Sequence, residues 1–359
     1  MGYLDNIIDR YRRIRSMREL QYTYTQQYAL VGFGNHCANN LLPIIQYLQL
    51  PLKYIYCTSE KKANLISLKY KGIKGTTSLQ DILLDDTISG VFVAANPHSH
   101  FHIATEVIKA GKSLFIEKPP CKDERELMSL TDTIKLYGSQ HIVVGLQRRF
   151  APATQILQKR LRIGRGRHYH YRYLTGLYPE GDALLDLFIH PLDYVTFLFG
   201  KARVKAAEEM RSKDGTQTLF LMLEHQGITG MLELSTDYSW QDAQEQLSIS
   251  TDKGQYVLDR MERLDFSPRH SAIWGIPLEK VFQNNATVVS LYGRNGFVPT
   301  VGNNQIVSQG FFSEIQAFAD MVENRCEDNH AFCLESVKHV YSLMAEIKKY
   351  MNIIDDHIL

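Results

Sequence analysis

Between residues 28 and 146, short apolar runs alternate with stretches of helical periodicity, and this alternation limits the possible folds more than any other feature. The runs are 28–31, 52–57, 90–94, 113–116 and 142–146, each long enough for one buried strand. Helical patterns follow at about 38–48, 78–84, 98–110 and 124–136. Strands separated by helices must lie parallel, with both faces of their sheet covered. The expectation is a doubly wound parallel sheet, in which ligands bind at the carboxyl ends of the strands.

The first strand runs into Gly32-Phe33-Gly34-Asn35-His36-Cys37. Gly32 permits the tight turn, and Gly34 lets a pyrophosphate approach the backbone at a helix N-terminus. A third small residue normally completes this pattern, and here Cys37 stands in its place. The pattern predicts a dinucleotide site, although an ordinary glycine turn would read the same way. After the second strand an acid usually binds the ribose 2′-hydroxyl. This chain instead has Thr58, Ser59, Glu60, Lys61 and Lys62, which suits a 2′-phosphate and favours NADP over NAD without excluding NAD.

The strand at 113–116 ends in Glu117-Lys118-Pro119. Pro119 restricts Lys118 to extended geometry, so the lysine is held stiffly where ligands bind. A surface lysine paired with a neighbouring acid is the plain alternative.

The second half reads differently. Helices are predicted at 152–161, 183–198, 311–322 and 334–351, and strands at 168–173, 204–208, 219–224, 229–235, 246–250 and 256–259. Consecutive strands with short turns indicate a largely antiparallel sheet. Residues 266–309 are expected to form an irregular loop over a site. Asp186, His190 and Asp193 would share one face if 183–198 were helical throughout, but Pro191 must kink that helix or open its second part. His190 is then either a core histidine or a general acid or base oriented by Asp186.

A chain of 359 residues exceeds one ordinary core, so two domains are expected, a doubly wound dinucleotide-binding one (27–149) and an α/β one (150–359). Residues 1–26 form a predicted amphipathic arm with an arginine-rich face, either solvated or packed on a partner subunit. A net charge of +1 predicts no general attraction to nucleic acid or membrane. Five scattered cysteines suggest neither a disulfide framework nor a metal site, and no signal-peptide core is visible, so a cytoplasmic protein is expected.

Taken together, Glu117-Lys118-Pro119, Gln147-Arg148-Arg149-Phe150, the Asp186–His190–Asp193 segment ending in Phe199-Gly200, and Gly111-Lys112 resemble the Gfo/Idh/MocA family (glucose–fructose oxidoreductase, inositol dehydrogenase and rhizopine catabolism). The resemblance covers about 28–350 and leaves the arm outside. It implies Lys118, Asp186 and His190 as the catalytic set, on an N-terminal Rossmann sheet joined to an α/β domain with an open sheet. It also implies dimers or tetramers formed through that sheet. Asn35, His36, Asn96 and His100, together with Glu117 and Lys118, join the glycines, Thr58, Ser59 and Lys62 as expected cofactor contacts. Arg149 and Tyr173 are expected substrate contacts beside Lys118, Asp186 and His190. The function implied is an NAD(P)-dependent oxidoreductase acting on a secondary alcohol of a sugar, cyclitol or nucleotide sugar. A binding-only sensor on the same fold is the alternative.

Overall fold

A computed structural model describes residues 22–138, 141–269, 272–273, 276–277, 288–297, 301–326 and 332–358. The predicted arm therefore lies almost wholly outside the described residues. The first sheet contains β1 (Gln27–Val31), β2 (Leu52–Tyr56), β3 (Lys74–Thr76), β4 (Ile88–Val93), β5 (Ser113–Glu117) and β6 (Ile142–Gly145). Its order is β3-β2-β1-β4-β5-β6, and every pairing is parallel.

Alternate residues of each strand serve opposite faces. Ala29, Val31, Val91, Leu114 and Ile116 pack on one side with the helices Pro97–Lys109 and Glu124–Tyr137. Tyr28, Leu30, Phe92 and Phe115 point to the other side. Because both faces are buried, the strands read as continuous apolar runs. The second face is covered partly by Phe311–Val322, a helix that returns from far along the chain. Its Phe318 ring lies 5.0 Å from Phe92 and 5.9 Å from Phe115. Gly310 opens this helix with φ +97°, and a Cβ there would come 2.0 Å from Gln147 O. Glycine is what allows the helix start to press against the turn Gln147–Phe150.

The second sheet has β7 (Gly166–Leu174), β8 (Arg203–Arg211), β9 (Gln217–His225), β10 (Ile228–Ser235), β11 (Gln244–Thr251), β12 (Gly254–Asp259), β13 (Arg263–Pro268) and the strand Val289–Gly293. Neighbours pair antiparallel except β7 and β10. Tyr169, Tyr171 and Tyr173 of β7 are buried, while His168 and His170 face outward. This period of two is what the sequence at 168–173 predicts.

One expectation changes, and another is decided between its two alternatives. Part of 266–309 is strand rather than loop: β13 continues to Pro268, and Val289–Gly293 pairs with its free edge. Leu291 and Tyr292 pack against the core, and the ladder satisfies backbone groups that an open edge would leave unpaired. The 183–198 segment is two helices, Ala183–Asp186 and Ile189–Phe199, with Pro191 in the first turn of the second. A proline is tolerated there because a first-turn N–H has no helical partner.

Asp193 on the second of these helices anchors the chain's exit from the first sheet. Arg149 Nε donates to Asp193 Oδ2 at 2.9 Å, another guanidinium N–H donates to Oδ1, and Nη1 donates to Ser336 Oγ at 2.7 Å. Both side chains of this ion pair are only 2% exposed. Removing one partner strands a buried charge, so Asp193→Ala is expected to cost about 3–5 kcal/mol of unfolding free energy in urea denaturation. A loss below about 1 kcal/mol, the range of exposed pairs, would contradict this role.

Candidate active site

The site forms where β1, β4 and β5 end. Gly32 turns the chain after β1 with φ +98°, and a Cβ there would lie 2.4 Å from Ala94 O. Gly34 differs, since a Cβ on it would meet nothing within 4 Å. The space over Gly34 is open, so a phosphate group could approach its backbone closely. Cys37 is fully buried, and the helix opens with a wide π-turn, Cys37–Leu41, directly ahead of Pro43, which has no N–H to continue α-spacing. Thr58 and Ser59 are exposed, and the Ser59 hydroxyl caps Glu60–Lys69 by accepting the Lys62 N–H at 3.4 Å. The Lys62 ammonium donates to Phe33 O within the glycine turn. A cation and open backbone therefore meet on one side of this loop, which fits the phosphates of a dinucleotide.

His36, in the same turn, faces the end of β5. Its Nε2 lies 3.0 Å from Glu117 Oε1, and Asn40 Nδ2 lies 2.9 Å from its Nδ1. With Asn40 donating at Nδ1, the ring proton sits on Nε2 and is donated to Glu117. A Cβ at position 145 would come 2.9 Å from Glu117 Oε2, so Gly145 on β6 makes room for this carboxylate. Asn96 caps Pro97–Lys109 by accepting the His98 N–H at 3.0 Å.

Lys118 reaches across to the second half of the chain. Its Nζ donates to Asp186 O at 2.7 Å. Burial pushes its pKa down and the Arg148 charge adds to this, while Glu117 and Asp186 oppose it. The Asp186 carboxylate accepts from Tyr178 OH at 3.3 Å, and burial raises its pKa against the pull of Lys118. Position 181 must be glycine for this approach, because a Cβ there would sit 2.3 Å from Asp186 Oδ2. His190 is 8% exposed, and its Nδ1 is buried without a hydrogen-bond partner. Burial, with the Arg148 and Lys118 charges, holds its pKa well below the ordinary histidine value. The imidazole is therefore neutral at neutral pH.

Three of the expected site residues are held by other groups of the protein. The Asp186 carboxylate meets Tyr178 and its carbonyl meets Lys118, and a helix break at residues 187–188 separates its helix from that of His190. Arg149 is enclosed by Asp193 and Ser336 rather than turned to a substrate. His100 is 1% exposed, with Nδ1 2.7 Å from Pro119 O and Nε2 3.0 Å from Ala95 O, so it braces two strand ends instead of meeting a cofactor directly.

The residue that sequence reasoning passed over is Arg148, the neighbour of Arg149. It binds Glu245 through Nε at 2.6 Å and Nη2 at 2.8 Å, and it lies 5.5 Å from the Tyr173 ring. Tyr171 OH also donates to Glu245, at 2.6 Å. Arg148 Nη1 remains buried with no partner. Two adjacent arginines in a sequence give no sign of which one faces a site. Tyr173 is buried beside Arg148 and Phe188. A cleft of about 400 Å³ is lined by Asn96, His98, Pro119, Tyr178 and Asp186 among others. No group of three or more His, Cys, Asp or Glu side chains suited to a metal ion occurs among the described residues.

Residues 26–145 match the profile of the Gfo/Idh/MocA family, described as an oxidoreductase family with an NAD-binding Rossmann fold. An inositol 2-dehydrogenase/D-chiro-inositol 3-dehydrogenase from Lactiplantibacillus plantarum is 28% identical over 136 residues, 35% of this chain and 39% of that relative. The chain thus matches well under half the length of that relative. A dehydrogenase from Chromobacterium violaceum superposes with TM-score 0.77 at 16% identity, covering 93% of this chain and 98% of the other. A 3-ketoreductase from Actinomadura kijaniata, solved with NADP, gives TM-score 0.70 at 16% identity over 90% and 97% of the two chains. The first sheet thus matches the profile of the Gfo/Idh/MocA oxidoreductase family, and the two-sheet fold is shared with the superposed dehydrogenase along nearly the whole chain.

Proposed function

We propose that this protein is an NAD(P)-dependent oxidoreductase that interconverts a secondary alcohol and a ketone on a sugar, cyclitol or nucleotide sugar. One observation carries this reading. Lys118 and two buried, unpartnered polar atoms, His190 Nδ1 and Arg148 Nη1, converge at the strand ends beside an open glycine turn. Buried polar atoms ordinarily have partners, so a polar ligand is the natural complement. The bound nicotinamide supplies the hydride acceptor or donor. Lys118 stabilises negative charge on the reacting oxygen, and neutral His190 takes or returns the hydroxyl proton. Asp186 holds Lys118 through its carbonyl and shapes the cleft with Tyr178. The related inositol dehydrogenase and 3-ketoreductase make a polyhydroxylated substrate the first class to try.

NADP is the favoured cofactor, because Thr58, Ser59, Lys61 and Lys62 are exposed where an acid would serve NAD. The protein is further proposed to assemble as a homodimer or homotetramer through the outer face of its second sheet. There Phe220, Met222 and Met231 are 40%, 43% and 53% exposed, and Met222 pairs directly with Met231. Exposed apolar patches of this kind mark interaction surfaces.

Lys118→Ala is expected to lower turnover about a hundredfold, the scale of losing one charge-stabilising donor, with cofactor affinity little changed. His190→Ala should lose between about a hundredfold and ten-thousandfold. In the oxidation direction the pH–rate profile should be bell-shaped. Activity falls as acid protonates His190, at a pH below the ordinary histidine range, and falls again as Lys118 loses its proton below the ordinary lysine range. His190→Ala should abolish the acid limb. Near-full turnover in Lys118→Ala would overturn the mechanism, and cofactor binding with no turnover on a polyol panel would leave a sensor.

Titrating both oxidised cofactors tests the second point. The double variant Lys61→Ala/Lys62→Ala should weaken NADP about tenfold or more beyond any loss for NAD, the scale of one lost charge-assisted contact. Equal loss for both cofactors would refute the NADP preference. For assembly, Met222→Glu should lower the mass measured by light scattering to that of a smaller oligomer. An unchanged mass would locate the interface elsewhere.

A further inference from the structure

Trp240 has no part in the mechanism above, and it lies outside the cleft. It stands in the turn 236–243 between β10 and β11, is 53% exposed, and donates its indole N–H to Leu177 O at 2.9 Å. A large apolar ring left in water is not held in place by burial. This one is held by the N–H bond and by its fit on Gly176, where a Cβ would come 2.6 Å from Trp240 Cδ1 and 3.0 Å from Nε1. A side chain at 176 would push the indole away from the carbonyl that it grips.

Leu177 belongs to the segment 175–182, which links β7 to the helix Ala183–Asp186. The start of the segment is fixed by backbone: Thr175 N donates to Ser235 O at 2.8 Å, and Tyr238 N donates to Thr175 O at 2.9 Å. Its end is fixed where the Asp182 carboxylate caps the helix by accepting the Leu184 N–H at 2.9 Å. Between these points the segment is gripped at Leu177 O by Trp240 and at the Tyr178 hydroxyl by Asp186. Tyr178 follows Leu177 directly and lines the cleft with Asp186. Its OH donates to Asp186 Oδ2 at 3.3 Å, and Asp186 O accepts from Lys118 Nζ at 2.7 Å. A Cβ at 181 would lie 2.3 Å from Asp186 Oδ2 and 3.5 Å from the Tyr178 ring, so a shift of the tyrosine is felt at the carboxylate. A continuous run of contacts thus leads from an exposed indole to the Lys118 ammonium.

We propose that Trp240 is a positioning residue: its indole N–H latches the segment 175–182, so that Tyr178 holds Asp186 and the Asp186 carbonyl holds Lys118. The catalytic part of this assignment rests on the function proposed above, but the latch does not. An indole suits the task because it only donates and turns about two torsions, so it loses little freedom in making a bond of fixed direction. The latch also governs how dry Lys118 is. Glu117, Asp186 and Arg148 are the charged groups acting on its ammonium, and burial outweighs the two carboxylates in lowering its pKa. With the segment loosened, water reaches the ammonium and its pKa rises towards the ordinary lysine value, near about 10.4.

The pH dependence of Lys118 acetylation by acetic anhydride, read by mass spectrometry on the peptide that carries it, tests the latch with no substrate or cofactor. In Trp240→Phe, which keeps a ring over Gly176 but has no N–H, the midpoint should move up from the parent's, and Tyr178→Phe should move it the same way. An unchanged midpoint in Trp240→Phe overturns the latch. Failure of Trp240→Phe to fold overturns it too, because the residue would then serve the fold as a whole instead of Lys118. Turnover on a polyol panel tests the catalytic part. Each single variant should lower kcat about three- to tenfold, the scale of one neutral hydrogen bond, with NADP affinity unchanged. The double variant Trp240→Phe/Tyr178→Phe should lose little more than either alone, since both act along one run of contacts, and losses that multiply would overturn the assignment. A parent inactive on every polyol would refute the proposed function, while the acetylation midpoints would still decide the latch.

Discussion

The carboxyl end of β5 is the constraint on which the rest of the site depends. Glu117 and Lys118 are consecutive, and they reach in different directions. Glu117 holds His36 in the glycine turn, and Lys118 donates to the Asp186 carbonyl in the second half of the chain. His100 adds a third tie by placing its ring between Pro119 O and Ala95 O. One strand end thus sets the distance between the glycine turn, the exit of β4 and the segment that carries His190. β5 itself is buried along its full length, so the backbone that presents these groups has little freedom to move.

Around this point the electrostatics follow from burial. Lys118, Arg148 and the neutral His190 crowd one region, and each positive charge makes protonation of the imidazole less favourable. Arg148 is compensated by Glu245, which is itself held by Tyr171 on the floor of the second sheet. A neutral imidazole beside a desolvated ammonium is an arrangement that separates the roles of proton carrier and charge stabiliser.

Much of the fold was legible in the residues. The buried parallel strands could be read from continuous apolar runs, and the second sheet from period-two segments such as 168–173. Gly32 and Lys118-Pro119 also declared themselves, because a positive φ and a proline-restricted lysine leave few alternatives. Less could be read where spacing alone was the guide. Asp186 and His190 are four residues apart, yet a helix break between them sends the carboxylate to Tyr178. Arg148 and Arg149 are chemically identical, and only packing turns one to Glu245 with a free N–H and encloses the other with Asp193.

What the sequence by itself determined was local: which segments are strands or helices, which glycines must turn, and that a dinucleotide-type loop and a lysine stand at strand ends. These follow from side-chain periodicity and backbone sterics, which act over a few residues. Tertiary structure alone decided that Phe311–Val322 covers the first sheet and that Val289–Gly293 completes the second. Each of these joins residues far apart in the chain, and their proximity and protonation depend on burial and on neighbouring charges that exist only once the chain has packed.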